Sequence, residues 1–110
     1  MELSRIVKSL FQFISPSGNE ETIAKTLKEY VVNYVDSIYQ DAIGNLICTK
    51  YSKDPQTNKT IMFVAHMDEI GLMVTYIEES GYIRFTRIGG VDLMLLKGRN
   101  VKIVHGDAEI

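Results

Sequence analysis

His66 and Asp68 are the residues whose types and spacing could support catalysis. They lie in the segment VAHMDEIG at positions 64–71. A neutral imidazole is a good ligand for zinc or cobalt, and a carboxylate two residues further on could bind the other ring nitrogen and orient the ring. The same pattern also fits a structural histidine that ends a strand, followed by a solvated loop aspartate. The tripeptide alone leaves both interpretations open.

The residues before His66 predict the element that would present it. Positions 60–65, TIMFVA, form a nearly continuous apolar run, which is typical of a strand covered on both faces. The carboxyl end of such a strand is where α/β folds open their ligand crevices. We therefore predict a central strand over 60–65 that ends at His66.

Two amphipathic helices are predicted to open the chain. Apolar residues recur at helical spacing from Leu3 to Ile14, and again within a segment from about Glu20 to Val35. Pro16 and Gly18 interrupt the pattern between them. Ser17 and Glu20 have the spacing of a capping box, which predicts that Ser17 caps the second helix.

Beyond the helices the apolar period shortens toward two, which favours strands. The further predicted strands are 37–40, 46–51, 71–77, 83–86 and 101–104. The turn-forming residues of DAIGN at 41–45 predict a hairpin between the first two. The fold class we predict is α/β, with two N-terminal helices packed on a mixed β-sheet.

Composition limits the partners and the compartment. The net charge of -2 gives no basic surface for nucleic acid or an anionic membrane. No apolar run approaches the roughly 20 residues that span a bilayer. The single cysteine, Cys48, lies in an apolar strand pattern and is predicted to be a small buried residue. We expect a cytoplasmic location, because one cysteine offers no intrachain disulfide.

Several motifs together resemble the glutamyl aminopeptidase (M42) family of metallopeptidases. SPSGNEE at 15–21 resembles the family's PSG-x-E turn, and 41–46 resembles its D-x-x-GN-L element. VAHMDEIGLMV at 64–74 is similar to the family's most recognisable motif. RIGG at 87–90 and LKGRNV at 96–101 resemble the entry into its inserted dimerisation domain. The resemblance covers nearly the whole chain in the right order.

The resemblance implies a role for each candidate residue. It makes His66 a ligand of one of two divalent metal ions, zinc or cobalt, and Asp68 a carboxylate that supports the catalytic site. It implies a peptide substrate, a homo-oligomer in the complete protein, an incomplete catalytic domain over 1–88, and the start of a β-barrel-like dimerisation domain over 89–110. In this family the general base and other ligands lie later in a longer chain, so we expect the 110 residues to be inactive alone.

Other assignments stay open beside the peptidase. A non-catalytic α/β fragment would have no activity of its own, and a glucanase would need a pair of carboxylates across the glycosidic bond, which the sequence does not single out. His105 matches no family ligand and is expected to be structural. Glu69 could be a base by position, but an exposed carboxylate beside the motif is the simpler expectation.

Overall fold

Two helices precede the strands in the computed structural model, which describes residues 3–54, 56, 58–105 and 108–109. The chain forms two compact units, Met1–Asp68 and Glu69–Ile110. In order, the elements are α1 (Leu3–Leu10), α2 (Glu21–Val31), β1 (Ser37–Gln40), β2 (Leu46–Thr49), β3 (Gly71–Ile77), β4 (Ile83–Ile88), a 3-10 helix (Leu93–Leu96), β5 (Val104–His105) and β6 (Ala108–Glu109). Among the described residues, no helix is long and apolar enough to cross a membrane.

The two predicted helices are present in the first unit, and both are shorter than expected. The hydroxyls of Ser9 in α1 and Tyr30 in α2 lie 2.7 Å apart and join the helices by a hydrogen bond. Ile23 and Ala24 of α2 are buried, whereas α1 has no buried residue. Among the described residues of this unit, the buried apolar side chains therefore belong to the second helix, and α2 also contacts β2.

The predicted hairpin after α2 is confirmed. β1 and β2 pair antiparallel, with Ser37 opposite Thr49 and Gln40 opposite Leu46. Cys48 is exposed, so the prediction that it is buried was wrong. Side chains of a strand alternate between the two faces of a sheet, and a two-stranded sheet covered on one face leaves the other face open to solvent.

The predicted central strand is not formed. Residues 58–68 belong to no strand, and the apolar side chains of Ile61, Met62, Phe63 and Val64 are 78%, 81%, 93% and 81% exposed. The mixed sheet was also wrong for the described residues, whose strands form three two-stranded antiparallel sheets. A strand needs a hydrogen-bonded neighbour, and no described segment pairs with 60–65 as a ladder.

The second unit is built on the β3–β4 hairpin. Gly71 lies opposite Ile88, and the register shifts between Val74 and Tyr76 at an irregularity of the bulge type. The last predicted strand, 101–104, begins only at Val104, where β5 pairs with β6. The division between the units falls after Asp68, whereas the proposed domain boundary after residue 88 stays a prediction about the longer family fold.

Candidate active site

His66 and Asp68 contact each other directly. His66 Nδ1 lies 3.0 Å from Asp68 Oδ1 and 2.9 Å from the backbone oxygen of the same residue. A carbonyl and an ionised carboxylate can only accept hydrogen bonds, so we assign the ring proton to Nδ1. The other ring nitrogen, Nε2, then carries the lone pair of the neutral imidazole, which is the form that binds a metal ion.

The pair lies at the surface of the first unit. The His66 side chain is 86% exposed and that of Asp68 is 36% exposed. The Ser17 hydroxyl donates a hydrogen bond to the Asp68 carboxylate and, with a hydrogen bond from His66, lowers the pKa of Asp68 from its ordinary value against a smaller opposing effect of desolvation. Asp68 is therefore held in its ionised form, as a hydrogen-bond acceptor for the histidine.

A tight turn positions Ser17. The amide of Asn19 donates to the carbonyl of Pro16 at 2.8 Å, and Gly18 has a φ of 92°. A hydrogen bond across four residues with a positive φ at the third is the pattern of a type II turn. Ser17 is the second residue of this turn, whose conformation is restricted by the hydrogen bond around it.

The predicted capping box was wrong. α2 begins at Glu21, its N-cap is Glu20, and no side chain caps it. The Glu20 carboxylate instead accepts a 2.8 Å hydrogen bond from the amide of Gly18. Ser17 has the residue type of an N-cap, but it lies too far before the helix, and its hydroxyl instead helps to lower the pKa of Asp68. Serine in a capping pattern was the only local signal at this position, and it indicated a different role.

A second turn is organised by Asp41. Its Oδ1 accepts hydrogen bonds from the amides of Ile43 and Asn45 at 3.1 and 2.9 Å, and its Oδ2 accepts one from Asn45 Nδ2 at 2.8 Å. The Asn45 side chain makes the largest contribution to lowering the pKa of Asp41. Gly44 adopts a φ of 95°, which glycine accommodates without steric cost. The loop between β1 and β2 is thus held by its first residue.

The two turns and the His66 segment border one cleft of the first unit. Its volume is about 460 Å³. The lining residues are Gly18, Asn19, Glu20, Glu21, Gln40, Ile43, Gly44, Asn45, Ala65, His66, Met67 and Asp68. Three motifs that are separate in the sequence therefore meet at the candidate site. The tripeptide at 66–68 alone could not predict this meeting.

The donors at this site fit one ligand position of a metal centre. His66 offers Nε2, with its other nitrogen held by a carboxylate as in metal-binding histidines. Within the described residues, however, no group of three or more His, Cys, Asp or Glu side chains could together hold a metal ion. A catalytic zinc takes about three protein ligands, so a complete centre would need donors from outside this part of the chain. His105 lies in β5 in the second unit.

Comparison with known proteins identifies the family. The model of the M42 glutamyl aminopeptidase family matches residues 44–110. A protein of Acetivibrio thermocellus, provisionally named an aminopeptidase, is 43% identical over 101 residues, which are 92% of this chain and 29% of that protein. The chain belongs to the M42 glutamyl aminopeptidase family, as its motifs led us to expect.

Two solved structures support the same fold. PhTET1-12s, solved with a dodecamer in the asymmetric unit, matches 100% of this chain and 32% of its own, with a TM-score of 0.83 and 36% identity. A structure from Thermotoga maritima named an endoglucanase matches 81% of this chain and 28% of its own, with a TM-score of 0.74 and 37% identity. The chain thus spans about a third or less of each of these relatives.

Proposed function

We propose that this chain is the N-terminal portion of a two-metal aminopeptidase that removes N-terminal residues from peptides. The observation that carries the proposal is the His66–Asp68 pair, which lies inside the segment that the family model matches. The pair has the hydrogen-bonding pattern of a metal-binding histidine and its supporting carboxylate. Family membership alone would support the class of reaction. The pair in addition identifies two residues of this chain that would take part in it.

In this proposal each residue of the pair has a defined task. His66 presents the Nε2 lone pair as a ligand of one of two divalent ions, zinc or cobalt. Asp68 accepts the hydrogen bond of Nδ1, which holds the ring in the ligand tautomer and increases its basicity. When bound, a pair of divalent ions supplies Lewis-acid activation of water and of the scissile carbonyl. The general base and the remaining ligands come from chain beyond these residues.

The larger assembly is also part of the proposal. Residues 1–88 belong to the catalytic domain and 89–110 begin a β-barrel-like dimerisation domain. The dodecameric arrangement in the PhTET1-12s structure supports a homo-oligomer for the complete protein. The formal net charge of -2 supports a peptide in preference to nucleic acid or membrane as the partner, and the lone cysteine supports a cytoplasmic location.

We expect the 110-residue chain to be inactive by itself, because one histidine cannot hold a two-metal centre. The first experiment assays the chain on a panel of aminoacyl chromogenic substrates with zinc or cobalt. A second assays a chimera in which the chain replaces the segment that it matches in the Acetivibrio relative. The chain alone should give no turnover, whereas the chimera should hydrolyse at least one substrate of the panel.

His66→Ala should abolish turnover of the chimera and remove one metal ion measured by calorimetry. His105→Ala is the matched control and should leave both unchanged, because His105 lies in the other unit. Turnover that survives His66→Ala would contradict the proposal. Turnover by the chain alone would contradict its expected inactivity.

A soluble glucan is included as a further substrate, because the Thermotoga relative is named an endoglucanase. Its hydrolysis without peptide hydrolysis would favour the glucanase.

A further inference from the structure

A second cavity of the first unit lies between α2 and the β1–β2 hairpin. Its volume is about 230 Å³, and two of its lining residues, Glu21 and Gln40, also line the cleft at His66. The two cavities are therefore neighbours. We propose that they form one groove for an extended peptide, in which Lys25 and Lys28 bind a carboxylate of the substrate. The direction of the peptide rests on the proposed function, whereas the carboxylate subsite rests on the groove alone.

The residues shared by the two cavities lie on regular elements. Glu21 is the first residue of α2, and Gln40 is the last residue of β1. The side-chain amide of Gln40 donates a 3.0 Å hydrogen bond to the carbonyl of Gly44, which holds it against the hairpin loop. Both shared side chains are exposed. A peptide that leaves the cleft can therefore pass between a helix and a strand whose side chains border its path.

The spacing along α2 places both lysines beside such a peptide. A helix rises about 1.5 Å per residue, so Lys25 and Lys28 lie about 6 and 10 Å beyond Glu21 along its axis. An extended peptide advances about 3.3 Å per residue. The lysines therefore accompany the second and third peptide residues beyond the junction. Ile38 and Leu46 of the hairpin, both half-buried, line the same space and offer apolar contacts to the peptide.

The charges along the groove change sign from one end to the other. Glu20 and Asp68 line the cleft, and Glu21 lies at the junction. Lys25 and Lys28 are the positively charged residues that line the second cavity. A peptide with a free amino terminus is positive at that end, so its amino terminus suits the cleft and a carboxylate suits the lysines. Such complementarity sets the orientation of a ligand more than its affinity.

The lysine charges are not used within the helix. Lys25 follows Glu21 by four residues and precedes Glu29 by four, which is the spacing of ion pairs that stabilise a helix. Neither Lys25 nor Lys28 forms an ion pair with a residue that the structure describes. Both are exposed. Their ammonium groups therefore remain available to an anion that enters the groove.

The first test measures peptide binding by the metal-free 110-residue chain, so that its outcome does not depend on catalysis. Amidated pentapeptides with one glutamate at the third, fourth or fifth position, and their glutamine counterparts, are titrated into the ¹⁵N-labelled chain. At least one glutamate peptide should bind about fivefold more tightly than its counterpart, near the upper end for exposed ion pairs, and should shift amide signals of α2. Added salt should reduce this preference. Equal binding within every pair would overturn the subsite.

Substitution of the lysines tests whether they cause the preference. Lys25→Gln with Lys28→Gln should abolish it, and Lys25→Glu with Lys28→Glu should reverse it in favour of a peptide with lysine in place of glutamate. The matched control is Lys8→Gln with Lys59→Gln, at exposed positions of the same unit that line neither cavity. It removes the same charge and should keep the preference. A preference for glutamate that survives the charge reversal, or that is lost equally in the control, would overturn the proposal.

The chimera separates the subsite from the proposed function. Its KM should be about fivefold lower for the preferred glutamate peptide than for the glutamine peptide, and the two Lys→Gln changes should remove the difference. A neutral peptide with a free C-terminus, compared with its amide, shows whether a terminal carboxylate serves as well as a side chain; a preference for either one supports the subsite. Selective binding by the chain, with no turnover by the chimera, would support the groove and reject the aminopeptidase. Turnover without any such preference would support the aminopeptidase and overturn the subsite.

Discussion

At the scale of single residues, two aspartates organise the loops around the cleft. Asp68 accepts hydrogen bonds from Ser17 and His66, and Asp41 accepts them from Ile43 and Asn45. Both carboxyls have a lowered pKa, because each donor stabilises the ionised form. Each ionised carboxylate therefore acts as a hydrogen-bond acceptor for its own loop or segment beside the cleft.

A substitution of Asp41 tests whether its carboxylate holds the loop between β1 and β2. Asp41→Asn should loosen the loop at pH 7, since an amide nitrogen would replace one of the carboxylate oxygens that now face the donors of Asn45 and Ile43. The amides of Ile43 and Asn45 should exchange faster with solvent in NMR hydrogen exchange. Glu29→Gln, at an exposed position of α2, makes the same chemical change and should leave these amides unaffected.

The lowered pKa of Asp41 also fixes the sign of the pH dependence. A depressed pKa in the folded state contributes stability that is fully present above the unfolded value of about 3.9 and is lost as pH falls through the folded value. The difference in loop protection between wild type and Asp41→Asn should therefore be largest near neutral pH and shrink below about pH 4. A difference that grows on acidification would contradict the assigned hydrogen bonds.

At the scale of elements, the local sequence is enough to specify the two hairpins, but it is not enough to specify a strand at 60–65. β1–β2 and β3–β4 each join strands that are adjacent in sequence, so a turn and an apolar pattern are enough to specify them. Residues 60–65 have an equally clear strand pattern but require neighbours from elsewhere. Because no described strand pairs with this segment, its apolar side chains are exposed.

Gly89 and Gly90 provide a matched pair of substitutions after β4. Gly89 has a φ of 76°, and an added Cβ would lie 3.1 Å from Ile70 Cγ2, whereas a Cβ at Gly90 would meet no atom within 4 Å. Gly89→Ala should lower the free energy of unfolding of this unit by about 1 to 2 kcal/mol, because left-handed backbone is costly for other residues. Gly90→Ala should change it by less than about 0.5 kcal/mol.

Unfolding by denaturant, followed through the aromatic residues of β3 and β4, measures both variants. Equal effects of the two substitutions would mean that the positive φ of Gly89 is not maintained in solution. A larger loss for Gly90→Ala would contradict the backbone conformation and the surroundings described for the two glycines.

At the scale of the whole molecule, few of the described apolar side chains are buried within their own unit. Among the described apolar residues, only Ile23, Ala24 and Val91 are buried. So small a core supports the proposal that further chain covers these residues in the complete protein.

The exposed segment 60–65 predicts self-association of the isolated chain. Six residues without charge, proline or glycine, and rich in β-forming types, can pair with the same segment of another copy. Phe63→Lys should reduce the association seen by sedimentation, because it places a charge in the middle of the segment. Tyr51→Lys, at another exposed position of the same unit, should have a smaller effect.

In the complete protein, Phe63→Lys should be harmful, because it should lower the stability of the fold. If further chain covers this segment, Phe63→Lys buries an unpaired charge and should markedly lower thermal stability of the chimera. Equal tolerance of the change in the chain and in the chimera would show that the segment stays exposed in both.

The sequence by itself determined the features that depend on local patterns. Apolar spacing predicted both helices, turn residues predicted the β1–β2 hairpin, and the ordered motifs predicted the family that the comparison confirmed. The contact between His66 and Asp68 also followed from short spacing, since two residues are enough for the side chain to return to the ring. Their catalytic roles stay predictions.

Only the tertiary structure decided which distant groups meet. It brought Gly18, Asn45 and His66 to one cleft. It began α2 at Glu21 and left Cys48 and the 60–65 segment exposed. The physical reason is that a pattern specifies which face a residue prefers, whereas burial and hydrogen bonding require a partner at that face. Where the partner lies far along the chain or outside these residues, the local sequence does not predict the contact.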